Sequence, residues 1–164
     1  MAVTPAPEHL EFEPDDRAEV LARMDAVAGD RGTRGGWINF HPAVDDDTEV
    51  PEGSSLFGIF SASGPAVPIC TWMPGKWRGE RRERVSIGVQ HAAGPRAVAR
   101  LGSVGVEVPA GWRVRQDRPR RGLVVMVPAE QDHDTTLNWL LRAGAALSAV
   151  PLTGAWRAAV FVNS

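Results

Sequence analysis

Alternating apolar and polar residues predict several β-strands in the second half of the chain. Residues 85–90 alternate apolar side chains with small or polar ones, which is typical of a strand with one face in water. Residues 112–117 and 122–127 flank Arg118-Pro119-Arg120 and predict a β-hairpin. The second strand of this hairpin is apolar on both faces, so we predict that it lies centrally in a sheet.

Apolar residues at helical spacing predict three helices. The first spans residues 15–29. The second spans residues 94–104, because the proline near its start suits the first helical position. The third runs from a capping Asp132 to about residue 149. Trp139 lies off the main apolar stripe of this third helix, which predicts a second buried face, either in a thick core or against a protein partner.

The first half of the chain carries weaker signals. Residues 1–14 are acidic and rich in proline, and we predict that they form a flexible tail before a single α+β domain of residues 15–164. The remaining predicted strands are residues 37–40, 56–62, 67–72 and 154–162, with an acidic loop over 41–55 and a polar connector over 75–84.

The order of the predicted elements indicates the fold class. From residue 85 onwards this order is strand, helix, strand, strand, helix, strand, which is the order of a ferredoxin-like split βαβ sandwich. We therefore predict an α+β domain in which helices cover an antiparallel sheet. The ferredoxin-like βαββαβ order falls in residues 85–162, and an N-terminal helix and β-hairpin extend it.

A second type of antiparallel sandwich is an alternative. The run Val106-Glu107-Val108-Pro109-Ala110-Gly111-Trp112 resembles the strand-entry Pro-x-Gly-Trp segment of proteins with the fold of the photosystem extrinsic subunit PsbP. This resemblance covers only the seven residues quoted. It implies a PsbP-like α/β sandwich in place of the ferredoxin-like one.

Length and composition exclude several classes of protein. The 164 residues, 43% of them hydrophobic, suffice for one domain with its own core. A single cysteine, Cys70, supports neither a disulfide scaffold nor a cysteine-rich zinc site. The four histidines match no metal-binding spacing, and no segment has the roughly 20 apolar residues of a membrane span. We expect no cofactor, no metal and no membrane contact, and a cytoplasmic protein.

The turn after the strand at residues 85–90 is a candidate ligand site. His91 lies in this turn and Arg96 near the start of the following helix, where backbone N–H groups favour an anion. The alternative is a tight turn in which Gly94 only provides the backbone geometry. In the ligand-binding hypothesis, a small anion is also held by arginines of the hairpin, namely Arg113, Arg115, Arg118 and Arg120.

Charge is distributed unevenly along the chain. Residues 1–60 have 13 acidic and four basic residues, a net charge of −9, whereas residues 61–164 have seven acidic and 14 basic ones, a net charge of +7. Alternation along the strand from Trp112 predicts that Arg113, Arg115 and Asp117 share one face. Such a basic stripe suits an acidic protein partner, nucleic-acid phosphates or the chain's own acidic residues. The acidic residues considered for this masking are Asp45, Asp46, Asp47, Glu49 and Glu52.

The sequence contains no assembled set of catalytic residues. We therefore expect a non-enzymatic accessory or protein-interaction domain that binds a protein partner or a second copy of itself. The first alternative is a binder of small anionic ligands, or an enzyme acting on them, through His91, Arg96 and the hairpin arginines. The second alternative is sequence-independent nucleic-acid binding, which ranks last because residues 121–127 offer no aromatic side chain that could stack on bases.

Overall fold

The computed structural model describes residues 5–32, 35–50 and 64–163. These residues form a seven-stranded antiparallel sheet, a separate two-stranded hairpin and three helices. The helices are α1 (Ala18–Gly29), α2 (Ala97–Ser103) and α3 (His133–Ala146). The strands are β1 (Glu8–Phe12), β2 (Gly36–Pro42), β3 (Ile69–Met73), β4 (Trp77–Arg78), β5 (Arg81–Arg82), β6 (Val85–Gln90), β7 (Arg113–Arg118), β8 (Gly122–Val127) and β9 (Trp156–Val162).

The strands of the large sheet lie in the order β1-β9-β2-β3-β6-β8-β7. The predicted α+β class with a large antiparallel sheet is thereby confirmed. The chain order β6, α2, β7, β8, α3, β9 is present, but a ferredoxin-like sheet built from these strands alone would place β9 beside β6. Instead β2 pairs with β9 and β3 pairs with β6. Strands β2 and β3 are thus inserted within the sheet, where they are hydrogen-bonded on both sides, whereas β1 lies at its edge beside β9.

Buried and more exposed residues alternate along the strands, so the sheet has two different faces. The inner face carries the core side chains, such as Ile38, Ile87 and Val125, all at most 1% exposed. Helices α1 and α3 pack against this face. Helix α3 approaches the sheet closely at Gly144, where a Cβ atom would lie 2.5 Å from Sγ of Cys70. The opposite side, which we call the outer face, is not covered by any helix of the described residues.

Two predictions about strand positions need correction. Strand β8 lies between β6 and β7, next to the edge, and β3 is the middle strand of the seven. Strand β8 is apolar on both faces because the outer face also carries apolar residues. Residues 8–12, which we predicted as part of a flexible tail, form β1 and pair with β9. Leu10 and Phe12 alternate with polar neighbours, a short strand pattern within the acidic segment.

The three helices differ from their predicted bounds at the ends. Asp132 caps α3 as predicted, because its carboxylate accepts the backbone N–H of Thr135 at 2.8 Å. Helix α3 ends at Ala146 and not near residue 149. Helix α2 begins at Ala97, later than predicted, because Arg96 adopts a left-handed backbone conformation with φ of 59° and so cannot belong to the helix.

The predicted second buried face of α3 belongs to the core. Trp139 is 5% exposed and packs edge-on against Trp112, with ring centroids 5.6 Å apart. Its indole N–H donates to the carbonyl oxygen of Glu107 at 2.9 Å. The tryptophan therefore joins α3 to the segment before β7, as the thick-core alternative requires.

Other predictions fall partly outside the described residues. The predicted strand 56–62 lies there, so the hairpin that it would form with residues 67–72 stays a prediction, whereas β3 covers most of the second strand. The predicted connector at 75–84 contains the small hairpin β4–β5. Among the helices of the described ranges, none has both the length and the apolar character needed to cross a bilayer.

Candidate functional site

His91 lies directly after β6 and is fully buried. Its Nδ1 accepts the backbone N–H of Ala93 at 3.1 Å, and its Nε2 has no hydrogen-bond partner within the described residues. Burial lowers the pKa of His91, with a smaller opposing effect from the negative charge of Asp117 and a further lowering by Arg100. The side chain is therefore a neutral imidazole that supports the turn, with no exposed surface toward solvent.

The start of α2 already holds a carboxylate. The two carboxylate oxygens of Asp117, on β7, accept the backbone N–H groups of Ala97 and Val98 at 3.0 and 3.1 Å. These N–H groups are the donors that the anion-binding hypothesis assigned to an external ligand. An internal acid thus satisfies them, while the Arg96 side chain is exposed.

A β-bulge explains why Asp117 reaches α2. Arg113 pairs with Met126 and Val114 with Val125, but the register shifts after Val114, so that Asp117 pairs with Leu123. Simple alternation predicted Asp117 on the face of Arg113, and that prediction is wrong. The extra residue of a bulge moves the following side chains to the opposite face. Asp117 consequently points to the inner face, beside α2.

The hairpin arginines are exposed and unpaired within the described residues. Arg113, Arg115, Arg118 and Arg120 form no ion pair and no side-chain hydrogen bond there. His91 is buried, and Arg96 lies at the start of α2. The structure therefore does not gather the six predicted residues into one pocket.

The predicted masking of these arginines by acidic residues is also not observed in the described part of the chain. Asp45, Asp46 and Asp47 are exposed and form no ion pair with the hairpin. They follow β2, which lies four strand positions from β7. At about 4.8 Å per strand, this separation is roughly 19 Å. Glu49 likewise has no ion pair, and Glu52 lies outside the described residues.

The arginines of the β4–β5 hairpin, within the connector of residues 75–84, have a structural role. Arg82 donates to the backbone carbonyl of Ala129 at 3.0 Å and lies over the ring of Trp77. Trp77 in turn donates its indole N–H to the carbonyl of Ala28, at the C-terminal end of α1, at 3.0 Å. Arg78 pairs with Glu83. These contacts attach the β4–β5 hairpin to α1 and to the segment after β8, and so they distinguish it from the unpaired arginines of β7.

The outer face carries a feature that our sequence-based prediction missed. The strand registers align a row of side chains, mostly large and apolar, across six strands from β9 to β7, and we call it the cross-strand row. The rings of Phe161 and Trp37 stack in it, with centroids 4.7 Å apart. Met73 is 47% exposed. The complete row is Phe161, Trp37, Met73, Ser86, Met126 and Arg113.

Two concave regions border the cross-strand row. One, of about 570 Å³, is lined by Trp37, Met73 and Met126 together with Trp77 of the β4–β5 hairpin. The other, of about 190 Å³, lies over small residues in the middle of the sheet, among them Gly88. A surface with an aromatic and methionine-rich ridge next to concavities is typical of a docking site. Period-two alternation in each strand was visible in the sequence, but only the pairing registers reveal the row.

The described residues offer no metal centre and no activated nucleophile. They contain no group of three or more His, Cys, Asp or Glu side chains placed to hold a metal ion. Burial raises the pKa of Cys70 to about 12, so its thiol stays protonated and unreactive. A cavity of about 840 Å³ beside β1 is lined by acidic residues and by His9, His41 and Arg157. Burial lowers the pKa of His41 in this cavity, and the nearby charges of Arg157 and His9 lower it further.

Comparisons with known proteins add no relative. No protein-family model, no curated protein and no solved structure matches this chain. The PsbP-like alternative therefore stays a prediction.

Proposed function

We propose that the protein is a non-enzymatic protein-interaction domain that binds an acidic protein partner on its outer face. The cross-strand row is the observation that carries this proposal. It places half-buried aromatic and methionine side chains next to one another on a sheet face without a covering helix in the described ranges. Such side chains are enriched at the centres of protein interfaces, where they supply contact area.

The charge at one end of the row favours an acidic partner. Arg113 ends the row, and Arg118 lies on the same side of β7 two rows away, next to Gly122. Neither arginine forms an ion pair in the described part of the chain. Charge complementarity across an interface mainly increases the association rate and selects the partner.

The larger concavity supports a protein partner over a small anion. Its walls combine aromatic, methionine and glycine residues with both acidic and basic ones, and its volume of about 570 Å³ is large enough for several side chains of a partner. The donors at the start of α2, by contrast, already bind Asp117. We place this interaction in the cytoplasm, and the proposal involves no cofactor.

Site-specific cross-linking tests this function. A photo-reactive amino acid replaces Met73, which is exposed on the outer face, or Ala22, which is exposed on α1 and serves as control. After irradiation in the source cells, we expect a defined adduct only from position 73. Mass spectrometry then identifies the partner, which is purified for binding measurements.

Titration calorimetry with the purified partner completes the test. We expect Met73→Asp and Arg113→Glu to weaken binding by roughly tenfold or more. Arg142→Glu, the same charge change at an exposed position of α3, should leave the affinity unchanged. Equal binding by all variants would contradict the proposal, and so would an adduct formed only with a second copy of this chain.

A further inference from the structure

Strand β7 is an open edge of the sheet. Within the described residues it pairs with β8 on one side and with no strand on the other. An open edge offers unpaired backbone N–H and C=O groups along its length, and these can bind an additional strand. Asp117 fixes the position of this edge through its two hydrogen bonds to the backbone of α2.

The side chains of β7 define the character of a strand that would fit there. Arg113 and Arg118 lie on the outer side, and Val114 lies on the inner side with 43% of its surface exposed. An incoming strand would place alternate side chains beside these two sets. Acidic residues would then meet the arginines, and an apolar residue would cover Val114.

We propose that β7 accepts an extended acidic segment of the partner as an additional strand. This inference rests on the proposed function, which it makes more specific. The recognised segment alternates acidic residues, placed beside Arg113 and Arg118, with apolar residues, one of which packs on Val114. Backbone hydrogen bonds supply the affinity, and the arginines supply the selectivity for acidic sequences.

A second copy of the chain fits this edge less well than an acidic partner. Two β7 edges related by a two-fold axis would bring arginines against arginines. The other open edge, β1, is acidic, but Glu8 pairs with Arg23 at 2.6 Å and Glu11 with Arg157 at 3.5 Å. The bulge in β7 also bends the strand, which disfavours pairing with a rigid sheet edge but not with a flexible segment.

Synthetic peptides provide the test. The probe is a capped peptide of about eight residues, the length of an ordinary strand, in which glutamate alternates with valine. One control has the same composition with all glutamates grouped at one end. Amide nuclear magnetic resonance spectra report the contact, and we expect shifts and slower hydrogen exchange in β7. Added salt should weaken the binding of the alternating peptide, because it screens the attraction between glutamates and arginines.

N-methylated peptides separate strand addition from charge attraction. In a paired strand, backbone N–H groups point alternately toward and away from the neighbour. Methylating every second residue in one frame should therefore abolish binding, whereas methylating the other frame should preserve it. Charge reversal of both Arg113 and Arg118 to glutamate should weaken binding by roughly tenfold or more, while Arg142→Glu should have no effect. Equal binding in both frames, equal binding of the grouped control, or no binding to the unmodified protein would overturn the proposal.

The methionine methyl groups distinguish this inference from the proposed function. Met73 and Met126 lie on the outer face, and buried Met24 is an internal control. If the purified partner shifts the Met73 and Met126 signals while the peptides fail, strand addition is refuted and the outer-face interaction stands. If the peptides bind β7 but no partner contacts Met73, the proposed docking face is refuted.

Discussion

The inner and outer faces of the sheet are formed by the same strands, yet they differ in how many of their side chains remain exposed or without a partner. On the inner face, helices bury nearly every side chain, and even an acid, Asp117, finds two backbone donors. On the outer face, apolar residues such as Met73 remain half-buried or exposed, and Arg113 forms no ion pair in the described residues. This contrast shows that folding buries the side chains of one face and leaves apolar and charged side chains of the other exposed.

The largest expected difference between the faces concerns core packing. Leu140, on α3, is fully buried. Leu140→Ala should therefore lower the free energy of unfolding by about 2–5 kcal/mol, whereas Met73→Ala should change it by less than about 0.5 kcal/mol. Denaturant titration measures both values. Similar losses for the two variants would show that the outer face contributes to the core.

A smaller difference in stability is expected between two variants of neighbouring residues on β7. Asp117→Ala leaves the N–H groups of Ala97 and Val98 without their acceptor and should cost about 0.5–2 kcal/mol, the usual effect of losing a helix cap. Arg118→Ala, on the adjacent position facing outward, is the matched control with no expected cost. Thermal unfolding compares the two, and an unchanged stability of Asp117→Ala would argue against its capping role.

The pH dependence of stability tests the histidines whose pKa is lowered by burial. Burial lowers the pKa of both His91 and His133 in the folded protein, so the unfolded chain binds protons more readily. Stability should be highest above about pH 6.5, the pKa of an unperturbed histidine, and should fall as the pH drops below it. His91→Asn should reduce this slope in denaturant titrations at several pH values. A slope remains because His133 and the half-buried His41, whose pKa is also lowered, still titrate.

The smallest effect is expected for the unpaired arginines. Arg113 and Arg118 form no ion pair with other described residues and are exposed, so their reversal to glutamate should change the free energy of unfolding by less than about 0.5 kcal/mol. The same double variant should lose partner binding. A large loss of stability would contradict the view that the outer side of β7 is reserved for contacts.

Local sequence signals predicted the elements better than their arrangement. The capping Asp132 and the alternation of residues 85–90 act within a few residues, so a single sequence reveals them. The placement of β2 and β3 between β6 and β9 depends on pairings between distant residues, which periodicity does not encode. The same holds for the candidate site, because the cross-strand row joins Phe161 to Trp37 and Met126 to Arg113 only after the registers are set.

A bulge was the other obstacle to prediction. Alternation assumes that each residue of a strand faces one neighbour, and one extra residue after Val114 reverses the sides of all residues that follow. Asp117 thereby moved from the predicted basic face to the start of α2. No residue type around Arg115 indicates a bulge. The anion-binding hypothesis therefore could not include the binding of Asp117 to the N–H groups at the start of α2.

The position of β9 has a consequence for synthesis on the ribosome. It is the last of the described strands, yet it lies between β1 and β2, both of which are translated well before it. Until residues 156–162 have been translated, β1 has no strand to pair with and β2 lacks one of its two neighbours. One side of β2 therefore stays unpaired during elongation, a period in which unpaired strands tend to aggregate. The sheet can therefore be completed only after residues 156–162 have been translated, and a nascent chain stopped before residue 156 should require a chaperone to remain unaggregated.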